Sequence, residues 1–299
     1  MPEVTDLEYR LLSQLAYFDE ITEELNSLRD QHILPIELHK FTRTLERLDR
    51  ELIEFNSNLI SSGIDYKNIL KNWSVLHSVQ SLLKSSEGEK ALKKSNYKNP
   101  ELDAFAFIKN SIQPGTGFKT DMVIAYRGTN LKKVNQLLKD LKENGKTTNN
   151  DFFTENLKQS DWASVFFQLM HQKFSRNIEI SLTGHSKAGA LVQKVILLAL
   201  QRDNIEVSGV TFSSSGILTV VDEPEEGMIS CSEINKYKSL CKNFVVEGDP
   251  VINYIKILDR NSQTSYVGKK ISLEHNSKGN AHRIASSFDN HFDSDGFIE

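Results

Sequence analysis

At 299 residues, 38% hydrophobic and 25% charged, the chain has an ordinary globular composition and room for one large domain or a domain with an appendage. A net charge of −4 offers no electrostatic case for a nucleic-acid partner, which needs a basic face. The two cysteines, Cys231 and Cys241, belong to no CxxC or Cys/His cluster, so a zinc site and a disulfide framework are not expected; they read as buried free thiols rather than as one bridge.

The first ten residues, MPEVTDLEYR, are acidic and lack the basic and apolar stretches of a signal peptide, and no run approaches the roughly 18 apolar residues of a membrane span. The expected setting is a reducing cytosol, or export without a cleaved signal. Leu11, Leu15, Phe18, Ile21, Leu25 and Leu28 line one face of a predicted helix. Leu38, Phe41, Leu45, Leu48, Leu52, Phe55 and Leu59 line a second, with Pro35 where a first-turn proline is tolerated. The two stripes predict a helical hairpin that caps the main core; a membrane-facing lid or a partner-binding arm is the sharper alternative. Gly, Ser and Lys collect between Ser85 and Glu101 as a solvated linker, which sets the expected division into a cap at 1–95 and a catalytic core at 96–299.

Beyond residue 102 strands and helices alternate. LDAFAFIK (Leu102 to Lys109) and DMVIAYRG (Asp121 to Gly128) are short apolar runs flanking the turn QPGTG. The helical patterns NLKKVNQLLKDLK and DWASVFFQLMHQKF follow. Next come strand IEISLT, helix AGALVQKVILLALQ and the strands VSGVTFSSS, KNFVVEG and GKKISLEH. This order predicts an α/β fold with a mostly parallel central sheet covered on both faces.

In such sheets chemistry gathers beyond the carboxyl ends of strands. Ser186 follows IEISLTGH and precedes a helix, the context of a nucleophile elbow, and the elbow needs small residues two positions to either side. Those residues are Gly184 and Ala188, with Gly189 next. The helix start points its free N–H groups at the serine, so the Lys187 N–H is a candidate oxyanion donor. Ala125 to Asn130 ends a second strand, where Gly128 allows close approach and the Thr129 N–H offers a second donor. The bland alternative there is a β-turn with Arg127 in a surface ion pair. Asp249 lies just past the strand FVVEG and can orient an imidazole; otherwise it caps the Asp-Pro turn. Glu247 and Asp222 are weaker candidates, neither being at a strand's carboxyl end. The order nucleophile, acid, histidine leaves His275, His282 and His291 as the base. His282 in GNAHRIASSF is favoured by its place on a loop. His185 points away from the serine on such an elbow and reads as packing.

Together, Arg127-Gly128-Thr129, the elbow Gly184 to Gly189, Asp249-Pro250-Val251 and the late His282 resemble the class 3 lipase family of the α/β-hydrolases. Thr211 to Gly216 (TFSSSG) is similar to the strand and loop that family places between elbow and acid. Lys187 is similar to a bacterial subgroup with a GHSKGG elbow, and Leu11 to Glu20 (LLSQLAYFDE) to that subgroup's N-terminal helix. The resemblance implies a serine lipase, phospholipase or esterase, in which Ser186 attacks an ester carbonyl, His282 moves the proton, Asp249 orients His282, and Thr129 and Lys187 hold the oxyanion. Neither a cofactor nor a metal is required by that scheme, and the implied partners are a lipid or ester substrate and transient contact with a membrane surface. Ala188 and Lys187 depart from the commonest elbow. The alternatives are an esterase or thioesterase on soluble or protein-linked esters, and a non-catalytic relative that binds through its N-terminal helices.

Overall fold

The structure, a computed structural model, describes residues 4–29, 35–55, 64–83, 85–86, 90, 102–113, 117–128, 149–175, 178–214, 216–219, 237–250, 252, 263–275, 281–282, 284, 288 and 291–298. Its helices are α1 (Asp6–Leu15), α2 (Asp19–Arg29), α3 (Thr42–Phe55), α4 (Tyr66–Lys71), α5 (Val79–Leu83), α6 (Asn149–Phe174) and α7 (Lys187–Asp203). Its strands are β1 (Ile36–Glu37), β2 (Trp73–Ser78), β3 (Ala104–Gln113), β4 (Gly117–Tyr126), β5 (Ile178–His185), β6 (Ser208–Phe212), β7 (Ile217–Thr219), β8 (Cys241–Val246), β9 (Gln263–Ser265) and β10 (Lys269–Leu273). The helical pattern NLKKVNQLLKDLK lies outside the described residues, as do Cys231 and Leu59. Cys241 is a buried free thiol.

Eight strands form one sheet in the order β1-β2-β3-β4-β5-β6-β8-β10, and β7 pairs with β9 apart from it. From β4 to β10 every neighbouring pair is parallel, whereas β1 to β4 pair antiparallel, so the expected α/β architecture holds with an antiparallel flank. That flank follows from local chemistry. Only three residues separate the end of β3 from the start of β4, and so short a connection permits only antiparallel neighbours. Parallel pairing of β4 with β5 needs a crossover, which includes the long helix α6.

The sheet is buried on both faces, and alternation along its strands shows why. Phe105, Phe107, Val123 and Ala125 turn toward a core shared with α1, Phe18, Ile21 and Phe41. Ala104, Ala106, Ile108, Met122, Ile124 and Tyr126 turn to the other core, with Trp162, Phe166 and Phe167 of α6 and Leu191, Val195 and Ile196 of α7.

The N-terminal segment differs in detail from two continuous helices. The first stripe breaks between Leu15 and Asp19 into α1 and α2, and the second opens with a single 3-10 turn at Leu38–Lys40 and is α-helical only from Thr42, because Ile36–Glu37 pairs with β2 instead. All ten residues of α1 are buried, and the helix lies on β4, β5 and β6. A capping box starts it: the Glu8 N–H donates to Thr5 Oγ1 at 3.2 Å and the Thr5 N–H donates to Glu8 Oε2 at 2.9 Å. The other Glu8 oxygen accepts from Trp73 Nε1 at 3.0 Å and Lys109 Nζ at 2.6 Å, tying α1 to β2 and β3. Buried Glu24 of α2 opens α3, accepting the Arg43 and Thr44 N–H groups, each at 2.9 Å. No helix among the described residues is long and apolar enough to cross a membrane.

Candidate active site

The register aligns the strand ends that matter. Tyr126 pairs with Gly184 and His185 with Phe212, while Phe212 pairs with Phe244 and Val246 with Leu273. Residues just beyond β4, β5, β6 and β8 therefore emerge along one edge.

Ser186 sits between β5 and α7 with φ 59° and ψ −125°, a positive φ that a non-glycine residue adopts only when its surroundings impose it. Three features impose it. The Ser186 N–H is held by the Phe212 carbonyl at 2.9 Å, and its own carbonyl accepts the Gly189 N–H at 3.0 Å. Helix α7 turns back so closely that a Cβ on Gly184 would lie 2.7 Å from the Ala188 backbone, and one on Gly189 would lie 2.6 Å from Ser214 Cβ. Ala188 is fully buried with its methyl on the Gly184 side, so the bare glycine makes room for the alanine that departs from the commonest elbow.

Asp249 follows β8 through a turn in which Gly248 has φ +79°. Its Oδ1 accepts the Ile252 N–H at 3.3 Å. His282 Nδ1 lies 2.8 Å from Asp249 Oδ2 and 3.0 Å from Oδ1, and His282 Nε2 lies 2.7 Å from Ser186 Oγ. A carboxylate only accepts, so Nδ1 carries the ring proton and Nε2 is free to take the one on Ser186. Ser186, Asp249 and His282 are all buried. Burial alone would raise the Asp249 carboxyl, but the hydrogen bond and charge of His282, with the Ile252 N–H, outweigh it and hold the carboxyl below its ordinary range.

The remaining candidates separate from this group. His275 is exposed beyond β10, and His291 turns its Nε2 to the Glu274 carbonyl at 3.0 Å. Glu247 is exposed on the turn before Asp249, while Asp222 lies outside the described residues. So does Thr129. Lys187 is the first residue of α7, where a backbone N–H has no carbonyl four residues back within the helix. Arg127 is ion-paired, 2.6 Å from Asp19 and 3.2 Å from Asp103, which fastens the end of β4 to the start of α2.

Two further residues join the site. His185 directs Nε2 to the His282 carbonyl at 2.7 Å, and the two rings are 4.9 Å apart. The Tyr17 hydroxyl lies 3.1 Å from His185 Nδ1 and 3.0 Å from the His185 carbonyl. Gly128 packs against the same hydroxyl so tightly that a Cβ there would fall 2.1 Å from it. Burial drives the His185 ring down to about 3, so it is neutral at physiological pH, and burial raises the Tyr17 phenol. The sequence marks His185 as packing and gives no local sign of Tyr17. Among the described residues, no cluster of three or more His, Cys, Asp or Glu is placed to hold a metal ion.

No family model and no curated protein matches the chain. Solved structures do show likeness. An extracellular lipase from Serratia marcescens matches at 18% identity and a TM-score of 0.33, over 62% of this chain and 29% of that one. A Rhizomucor miehei lipase propeptide complex matches at 10% identity and 0.40, over 86% and 81%. A lipase from Rhizopus microsporus var. chinensis matches at 12% and 0.37, over 66% and 71%. With identities and TM-scores this low, the functional reading rests on the site's own geometry.

Proposed function

We propose that the chain is a serine hydrolase of carboxylic esters, with lipid esters as its substrates. The observation that carries this is the continuous line from Asp249 through the two ring nitrogens of His282 to Ser186 Oγ, closed at 2.8 and 2.7 Å. A strained serine at a strand-to-helix elbow supports it further.

In this reading His282 Nε2 takes the proton as Ser186 Oγ bonds to the ester carbon, and the carbonyl π pair moves onto oxygen. Asp249 stays ionised and stabilises the imidazolium. The oxyanion rests on the backbone N–H groups of Lys187 and Thr129, at the positive end of α7. Collapse expels the alcohol, which takes the proton from His282. Water then attacks the acyl-serine by the same proton path and releases the acid and free Ser186.

The test is labelling with a fluorophosphonate probe, comparing wild type with Ser186→Ala and His282→Ala. Labelling of wild type alone is the expected result, and folded wild-type protein that stays unlabelled sinks the reading. Turnover that climbs steeply above a substrate's micelle concentration supports lipids; equal rates on monomeric short-chain esters count against them.

A further inference from the structure

We propose that His185 and Tyr17 are positioning residues that hold His282 in register with Ser186, a role that rests on the hydrolase reading above. His282 lies in a turn, where strand pairing does not fix its backbone. The His185 ring supplies an anchor. Its Nε2 faces the His282 carbonyl at 2.7 Å, and since a carbonyl only accepts, that nitrogen must be the protonated one. The opposite nitrogen, Nδ1, is left as an acceptor facing the Tyr17 hydroxyl at 3.1 Å. Ser186 and His185 are adjacent, so one rigid elbow fixes the nucleophile directly and the base through this hydrogen bond.

Charge explains why an imidazole kept neutral suits the position. The His282 ring must become cationic during the reaction, and the His185 ring is 4.9 Å from it. A charged neighbour at that distance would oppose the imidazolium, whereas a neutral donor orients the backbone without adding charge. Burial keeps His185 in that state. Tyr17 holds the ring plane: it packs edge-on to His185 with centroids 5.6 Å apart, and its one O–H proton lies between two acceptors, Nδ1 and the His185 carbonyl. Tyr17 itself lies in the corner between α1 and α2, pressed against Gly128 at the end of β4. The N-terminal helices thereby reach the base through two side chains.

The experiment compares the full chain carrying His185→Phe, His185→Gln and Tyr17→Phe with wild type, each checked by its melting temperature. His185→Phe should lower kcat and the labelling rate by roughly 10- to 100-fold with KM nearly unchanged, the loss expected when a reacting group shifts by about 1 Å. His185→Gln restores a donor near the Nε2 position and should recover most of that loss; Tyr17→Phe should fall between the two. A well-folded His185→Phe that labels at the wild-type rate overturns the proposal, as does a His185→Gln as impaired as His185→Phe. Should His185→Phe fail to fold, an unchanged rate in Tyr17→Phe overturns it. Proton NMR gives a readout independent of activity: the low-field His282 Nδ1–H signal should persist in His185→Gln, weaken in Tyr17→Phe and be lost to exchange in His185→Phe. Wild type that shows this signal yet never labels refutes the hydrolase reading and leaves the anchor standing; equal persistence of the signal in all variants refutes the anchor.

Discussion

Replacing Asp249 by asparagine keeps the shape of the side chain and alters one atom, so its effect can be worked out from the hydrogen bonds. Oδ1 of Asp249 accepts the Ile252 N–H at 3.3 Å, and Oδ2 is the nearer oxygen to His282 Nδ1, at 2.8 Å. An asparagine that keeps its oxygen for Ile252 must present its NH2 to Nδ1. The ring then moves its proton to Nε2, where it can no longer accept from Ser186. Flipping the amide restores the tautomer but sets two donors against each other at Ile252, at a cost of about 1–3 kcal/mol for an unsatisfied buried N–H. The wrong tautomer is therefore favoured, and the imidazolium also loses its counter-charge. An isosteric change of this kind in a serine protease lowers kcat by about 10⁴, or about 5.4 kcal/mol of transition-state stabilisation. The assay is the fluorophosphonate labelling rate together with kcat on a short-chain ester, at matched melting temperature. If Asp249→Asn stays within about tenfold of wild type, the orienting role assigned to Asp249 is wrong.

Two further outcomes concern the fold. Glu24→Ala leaves the Arg43 and Thr44 N–H groups at the start of α3 without their acceptor and should lower unfolding free energy by about 1–3 kcal/mol, read from urea titration; an unchanged midpoint would show that water replaces the carboxylate. Stability should also fall on acidification. His185 titrates near 3 in the folded chain, against about 6.5 unfolded, so below about 6.5 the unfolded chain binds the extra proton. His185 thus contributes stability that is complete above about 6.5 and declines by up to about 1.4 kcal/mol per pH unit as pH falls towards 3. His77, lowered by burial to about 4, acts in the same direction. Melting temperatures at pH 7.5 and pH 5 should differ more in wild type than in His185→Gln, and identical differences would count against a neutral buried His185.

The parts of the site that are legible in sequence are those that local chain geometry determines. An apolar strand, a Gly-His-Ser turn and a helix are contiguous, so Ser186 can be placed without tertiary knowledge. Asp249 is marked by a strand end, and His282 by chain order and a loop context. What sequence does not show is pairing across distance. Tyr17 lies 168 positions from His185, and nothing in LLSQLAYFDE says that its tyrosine meets the elbow. The N-terminal strands are obscure for a different reason. Ile36–Glu37 spans two residues, too few for any alternation, and the flanking Leu and Phe fit a helical stripe equally well. The stripe's period is right within α1 and within α2, but the chain turns at Tyr17, where apolar spacing alone carries no signal.

The fully buried first helix also has a bearing on when, during synthesis, the site can exist. Helix α1 rests on β4, β5 and β6, and Asp6 meets Lys242 at 3.2 Å, so the surface that receives it is written into the chain long after α1 itself. At about 5–20 residues per second, roughly 10 to 45 s separate the emergence of Leu15 from that of β8. Within that interval β4, β5 and β6 emerge in turn, so α1 gains its cover one strand at a time. The tyrosine that meets His185 is thus translated early and seated late, against an elbow encoded 168 residues downstream.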